Sequence, residues 1–164
     1  MDNLRHLPAD RYAAEIMKIA IVGLGYVGLP LCLQFARNDV DVIGLDIDAS
    51  KVEHINAGKS YIEHIDGEAI RSAVGTGRLT ASADFGRVQD VEAIIICVPT
   101  PLNKNREPDI SYIIKTGEAI AGHLQKGTLV VLESTTYPGT TDTDLREVLE
   151  QGSGLKAGAD FHLA

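Results

Sequence analysis

The chain of 164 residues has no tryptophan, only three phenylalanines and five tyrosines, against 16 glycines. That balance points to tight backbone turns and away from recognition by stacked aromatic rings. Cations are in deficit as well: 15 Lys and Arg face 23 Asp and Glu, for a net charge of -8. A nucleic-acid surface, which needs clustered Lys and Arg, is therefore not expected. An anionic small ligand stays open, because backbone N–H groups and a helix dipole hold one without net positive charge. Two cysteines far apart, Cys32 and Cys97, build neither a disulfide framework nor a metal site, so a reducing cytoplasm is the expected home. The first 16 residues carry Asp2, Arg5, Asp10, Arg11 and Glu15 and hold no apolar signal core. The charge-free run 19–36 is about long enough to span a bilayer, but Gly23, Gly25, Gly28 and Pro30 interrupt it and its first half reads as a strand. No membrane span is expected.

What is present is enough apolar material for one domain with a real core, at 45% hydrophobic residues. Disorder is excluded on the same ground. Short apolar runs suited to buried parallel strands fall at 18–22, 41–45, 78–81, 93–98 and 128–132, with a strand-like ending at 161–164. Helix-like stretches fall between them, at 26–37, 49–56, 68–74, 111–124 and 141–150, with Ser111 expected as an N-cap. Continuous apolar strands separated by helices imply an α/β, doubly wound, mostly parallel sheet of the Rossmann type, covered on both faces. Residues 1–17 read as an N-terminal extension and 18–164 as a dinucleotide-binding domain.

Gly23-Leu24-Gly25-Tyr26-Val27-Gly28 matches G-x-G-x-x-G. The pattern is weak alone and specific here, because a strand precedes it, a helix follows, and Asp46 closes the second strand 18 residues after Gly28. Gly23 permits the tight turn, Gly25 lets a pyrophosphate approach the backbone, and Gly28 lets helix and strand pack closely. Pro30 should delete one hydrogen bond in the first turns of the helix. The Asp46 carboxylate is placed to accept from the ribose hydroxyls and to repel a 2′-phosphate, and Ile47 stands where an Arg would welcome one. NAD is thus expected over NADP. Lys51 either reaches the adenosine ribose or is a solvated helix residue.

Three segments together resemble the UDP-glucose/GDP-mannose dehydrogenases: residues 18–30, Cys97-Val98-Pro99-Thr100-Pro101, and the run from Glu133 through Ser134, Thr135, Thr136, Tyr137, Pro138 and Gly139 to Thr141. The last run and Arg106-Glu107-Pro108-Asp109 are most similar to members acting on UDP-N-acetylhexosamines. The resemblance implies oxidation of the C6 alcohol of a nucleotide sugar to a carboxylate with two NAD, through a cysteine-bound thiohemiacetal and thioester. It places Tyr26, Val27, Asp46, Lys51, Thr100 and Thr135 on cofactor-contacting positions, with Pro99 in the same set. Thr135 also falls where a hydroxyl orients water near the reacting carbon. Turn capping is the lesser alternative for Thr100 and Thr135. Glu133 is expected as a partly buried carboxylate beside the nicotinamide, or as a loop residue satisfied by local N–H groups.

The resemblance also implies that the catalytic cysteine, a glutamate and a lysine-bearing central helix belong to later segments than Ala164. Cys32 and Cys97 read as small buried hydrophobes. His6, His54, His64, His123 and His162 show no metal or triad spacing, and no metal is expected. The expected partners are a UDP-sugar in the longer protein and a second copy of the chain, the latter because a last strand left at an edge invites pairing. A hydroxyacid-type NAD dehydrogenase and a non-catalytic NAD-sensing module are the competing functional classes.

Overall fold

The computed structural model describes residues 17–102, 104, 106 and 108–164. The extension expected at 1–17 lies outside the described residues except for Met17. The chain alternates β1 (Lys18–Val22), α1 (Gly28–Ala36), β2 (Asp41–Leu45), α2 (Ala49–Asn56), α3 (Gly67–Gly75), β3 (Leu79–Ser82), β4 (Ala93–Ile96), α4 (Ser111–Ala121), β5 (Leu129–Leu132), α5 (Arg146–Ser153) and β6 (His162–Leu163). The six strands form one parallel sheet in the order β3-β2-β1-β4-β5-β6. This is the doubly wound dinucleotide-binding order, whose direction reverses between β1 and β4.

Alternation along each strand divides the core in two. Ala20 and Val22 of β1 face the layer that holds Ile113, Ile120 and Leu149 of α4 and α5. Ile19 and Ile21 face the layer that holds Leu29 and Leu33 of α1, Ile55 of α2 and Ile70 of α3. The central strand β1 is apolar on both sides because both sides are covered, whereas edge strand β3 alternates, with Leu79 and Ala81 buried and Thr80 exposed.

Several boundaries differ from the sequence expectations for local reasons. β4 ends at Ile96, since Pro99 and Pro101 cannot extend a ladder. β3 is displaced one residue, to Leu79–Ser82. Ser111 is the first residue of α4 and not its cap: the Asp109 carboxylate accepts the Ser111 N–H at 2.9 Å. Both residue types cap helices, and Asp109, two residues upstream, supplies the oxygen. α4 stops at Ala121 rather than 124. The helix expected at 141–150 opens instead as a π-helical segment, Thr140–Leu145, and becomes α-helical only in α5, Arg146–Ser153; a 3₁₀ turn at Phe85–Asp90, capped by Asp84, had no sequence signal.

Helix α1 begins in a turn set by two glycines. A methyl group on Gly28 would sit 1.8 Å from the Gly23 carbonyl oxygen, and one on Gly23, which has φ +95°, would sit 2.6 Å from the Cys97 carbonyl oxygen. Both positions are closed to any side chain. Pro30 falls between two ladder bonds, Leu29 N–H to Gly25 O and Leu31 N–H to Val27 O. It has no N–H to give the Tyr26 carbonyl, as the sequence implied.

At the far edge Glu150 ties α5 to the return toward β6. Its carboxylate accepts Lys156 Nζ at 2.7 Å, Arg146 Nε at 3.0 Å and the Ala157 N–H at 3.1 Å. These three donors, in that order with the Lys156 ammonium leading, hold its pKa down to about 2.

Two predictions follow from this packing. Gly28→Ala should destabilise the chain by about 3 kcal/mol or more, since backbone would have to move; a thermal midpoint matching the parent would contradict the close approach. The Glu150 carboxylate is depressed in the folded state, so its contribution is complete above its ordinary value of 4.5 and is lost as pH falls toward about 2. Glu150→Gln should therefore lower stability at neutral pH and flatten its decline between those pH values. Parallel acid denaturation curves for the two chains would count against this role.

Candidate functional site

At the carboxyl ends of the strands, where the chain order reverses between β1 and β4, lies a cleft of about 1010 Å³. This is the crevice that open α/β sheets use for ligands. Gly23, Gly25, Tyr26, Val27, Asp46, Lys51, Pro99, Thr100, Glu133 and Thr135 all line it. Gly28 does not; it is buried behind Gly23 and acts through packing alone.

The glycine loop forms one wall. In contrast to its two neighbours, a methyl group on Gly25 would meet nothing within 4 Å. Among the described residues, the N–H groups of Gly25, Tyr26 and Val27 donate to no protein acceptor. A helix start with donors unspent and open space before it is suited to a phosphate.

Asp46 is 6% exposed and anchors this wall to the sheet. Its Oδ2 accepts the Leu24 N–H at 2.8 Å and Lys51 Nζ at 3.0 Å, and its Oδ1 accepts the Asp48 N–H at 2.9 Å. Lys51 is thus paired with Asp46 and is not a freely solvated lysine. Three bonds leave the carboxylate one acceptor direction in reserve, out of about four, and the residue lines the cleft.

The opposite lip is built from the loops after β4 and β5, joined by two reciprocal bonds. Thr100 Oγ1 donates to the Thr135 carbonyl at 2.6 Å, and Ser134 Oγ donates to the Val98 carbonyl at 2.8 Å. Thr100 therefore ties two loops together across 35 residues, which is not a local turn cap, while its hydroxyl oxygen can still accept. Glu133 departs from expectation. Its side chain is exposed at the mouth of the cleft, and its backbone N–H continues the ladder to Ile96 O at 2.8 Å. Ending a strand at the sheet's rim places a charged side chain in the open.

The far wall was missed in the sequence. Tyr112, Lys115, Thr116 and Ala119 present one face of α4 to the cleft, which Ile47 and Phe85 also line. Their i, i+3, i+4, i+7 spacing was a visible signal, but it reads equally as core packing. Neither cysteine is a poised nucleophile. Burial pushes the Cys32 thiol far above its ordinary pKa, with Cys97 adding to the effect. Burial, then the Glu133 charge, pushes Cys97 up to about 11. Among the described residues no group of three or more His, Cys, Asp or Glu is placed to hold a metal ion, and no helix is long and apolar enough to cross a membrane.

Known proteins are similar to this chain in sequence and in fold. The chain is 36% identical over 145 residues to a UDP-N-acetyl-D-glucosamine 6-dehydrogenase of Pseudomonas aeruginosa, covering 88% of this chain and 33% of that protein. To a UDP-N-acetyl-D-mannosamine dehydrogenase of Pyrococcus horikoshii it is 39% identical over 150 residues, covering 90% and 35%. The structure superposes on a ternary complex of GDP-mannose dehydrogenase from Pseudomonas aeruginosa with a TM-score of 0.85 at 35% identity, covering 88% of this chain and 34% of that one. The chain thus spans about a third of the length of the curated relatives it matches. A family model described as the NAD binding domain of the UDP-glucose/GDP-mannose dehydrogenase family matches residues 17–164. This chain belongs to that family, as its NAD binding domain.

Proposed function

We propose that the cleft holds NAD with its diphosphate on the N–H groups of Gly25, Tyr26 and Val27 and its adenosine ribose on Asp46, as part of a nucleotide-sugar 6-dehydrogenase. The observation that carries this reading is the contrast among the three glycines: two are sealed by backbone, while Gly25 alone of them opens on empty space beside unspent donors. Asp46 supports NAD over NADP, because a buried carboxylate beside the ribose repels a 2′-phosphate. Lys51, already bound to Asp46, stands ready to share a ribose hydroxyl. Tyr112, Lys115 and Ile47 also line this cleft, and the adenine is assigned to the side they form.

For the whole protein we propose oxidation of the C6 alcohol of a UDP-N-acetylhexosamine to the uronic acid, coupled to reduction of two NAD. Support comes from the run Glu133 to Thr141 and from relatives named for UDP-N-acetylglucosamine and UDP-N-acetylmannosamine. NAD supplies the hydride acceptor for this chemistry. Thr135 lines the lip of the cleft, and its proposed role is to orient the nicotinamide and water near the reacting carbon. The 164-residue chain by itself binds cofactor and turns over no sugar nucleotide, since both of its thiols are buried and held protonated.

Calorimetric titration tests the cofactor reading. NAD should bind and NADP should bind at least about ten-fold more weakly. Gly25→Ala should keep the parent's thermal midpoint, because the added methyl is unopposed, yet weaken NAD by about ten-fold or more. It is a cleaner probe than Asp46→Ala, which also strands the Leu24 and Asp48 N–H groups at a cost of about 1–3 kcal/mol each. Equal affinity of the Gly25→Ala chain for NAD would sink the diphosphate assignment. Separately, NADH formation from any UDP-sugar by the purified 164-residue chain would overturn the claim that it is inactive alone.

A further inference from the structure

Leu24 sits inside the glycine motif at a position the motif leaves free, yet it is held on every side. Its side chain is fully buried. It fills a notch in β2 at Gly44, where a methyl group would come within 2.8 Å of Leu24 Cδ2. Its N–H donates to Asp46. Its carbonyl accepts the hydroxyl of Tyr61 at 2.5 Å, from a loop 37 residues downstream.

That last bond bears on the ligand site because of peptide geometry. The Leu24 carbonyl and the Gly25 N–H belong to one planar trans unit and point in opposite directions. Drawing the carbonyl toward Tyr61 therefore turns the Gly25 N–H away from Tyr61, toward the open side of the loop. An unbroken helix would offer the Leu24 carbonyl the Gly28 N–H four residues on; here Tyr61 supplies the donor.

Tyr61 is itself fixed. Ser60 Oγ accepts the Ile62 N–H at 3.2 Å and donates to the Ile62 carbonyl at 2.8 Å, folding the loop back on itself. Ile62 is buried in the α1–α3 layer. The His54 ring meets the Tyr61 ring edge-on, with centroids 6.1 Å apart and planes at 88°. Burial, with the Asp46 charge adding to it, pushes the phenol well above its ordinary pKa, so it stays a donor.

We infer that Tyr61 is a positioning residue for the cofactor diphosphate: its hydroxyl locks the Leu24–Gly25 peptide so that the Gly25 N–H faces the phosphate. The inference rests on the NAD reading above and goes beyond it by assigning a residue from outside the strand-turn-helix unit.

Tyr61→Phe removes the hydroxyl and keeps the ring. NAD and ADP, which carry the diphosphate, should each bind about five-fold more weakly, the worth of one ordinary hydrogen bond. Adenosine, which lacks it, should bind as it does to the parent in an NMR titration. An equal loss for adenosine would make Tyr61 a merely structural residue and overturn the inference. So would unchanged ADP affinity. Failure of the parent chain to bind NAD at all would overturn the NAD reading and this inference with it, and is seen before any variant is made. Tyr61→Met serves where the phenylalanine chain melts early, because the readout is the ratio of ADP to adenosine affinity and not either value alone.

Discussion

The site depends on one buried carboxylate spanning two chain segments. Asp46 closes β2 and reaches back across the sheet to the Leu24 N–H, so the end of the second strand holds the turn that follows the first. In a low-dielectric setting a carboxylate hydrogen bond to a backbone amide is worth more than a neutral one. Asp46 makes two of these and an ion pair with Lys51. A residue read from sequence as a ribose ligand is therefore part of the frame before any ligand arrives. Its two roles are compatible, because the amides and the lysine leave the carboxylate one direction in which to accept.

This arrangement explains why so much of the site could be read from sequence. The glycine loop, Asp46 and the apolar strands are local patterns with fixed spacing, and each is constrained by backbone geometry. Gly23 and Gly28 are forced by contacts with carbonyl oxygens. Pro99 and Pro101 mark where β4 must leave the sheet. Apolar strands alternating with helices, joined by right-handed crossovers, implied a doubly wound parallel sheet, and its strand order is seen in the structure.

What escaped the sequence was set by distance along the chain or by ambiguity of type. Tyr61 meets Leu24 across 37 residues, and nothing in a run such as Ser60-Tyr61-Ile62 points to a partner. The α4 wall carried helical spacing, yet one stripe of α4 is core and the adjacent one lines the cleft. Asp109 and Ser111 are both capping types, so residue preference could not choose between them. Glu133 continues the ladder through its N–H just beyond β5, yet its side chain is exposed where the cleft opens, which the residue type alone does not foresee.

The notch at Gly44 carries a consequence for how this loop could be rebuilt. Leu24 is accommodated because β2 lacks a side chain at the one rung beneath it. Positions 24, 44 and 61 thus behave as a single three-part joint: a bulkier strand residue demands a smaller loop residue, and a smaller loop residue leaves the Tyr61 hydroxyl reaching for a carbonyl that has moved. Transplanting the six-residue glycine loop into another parallel sheet would carry over the motif without its mount. The portable unit is the loop together with a glycine-notched second strand and the tyrosine that buttresses it.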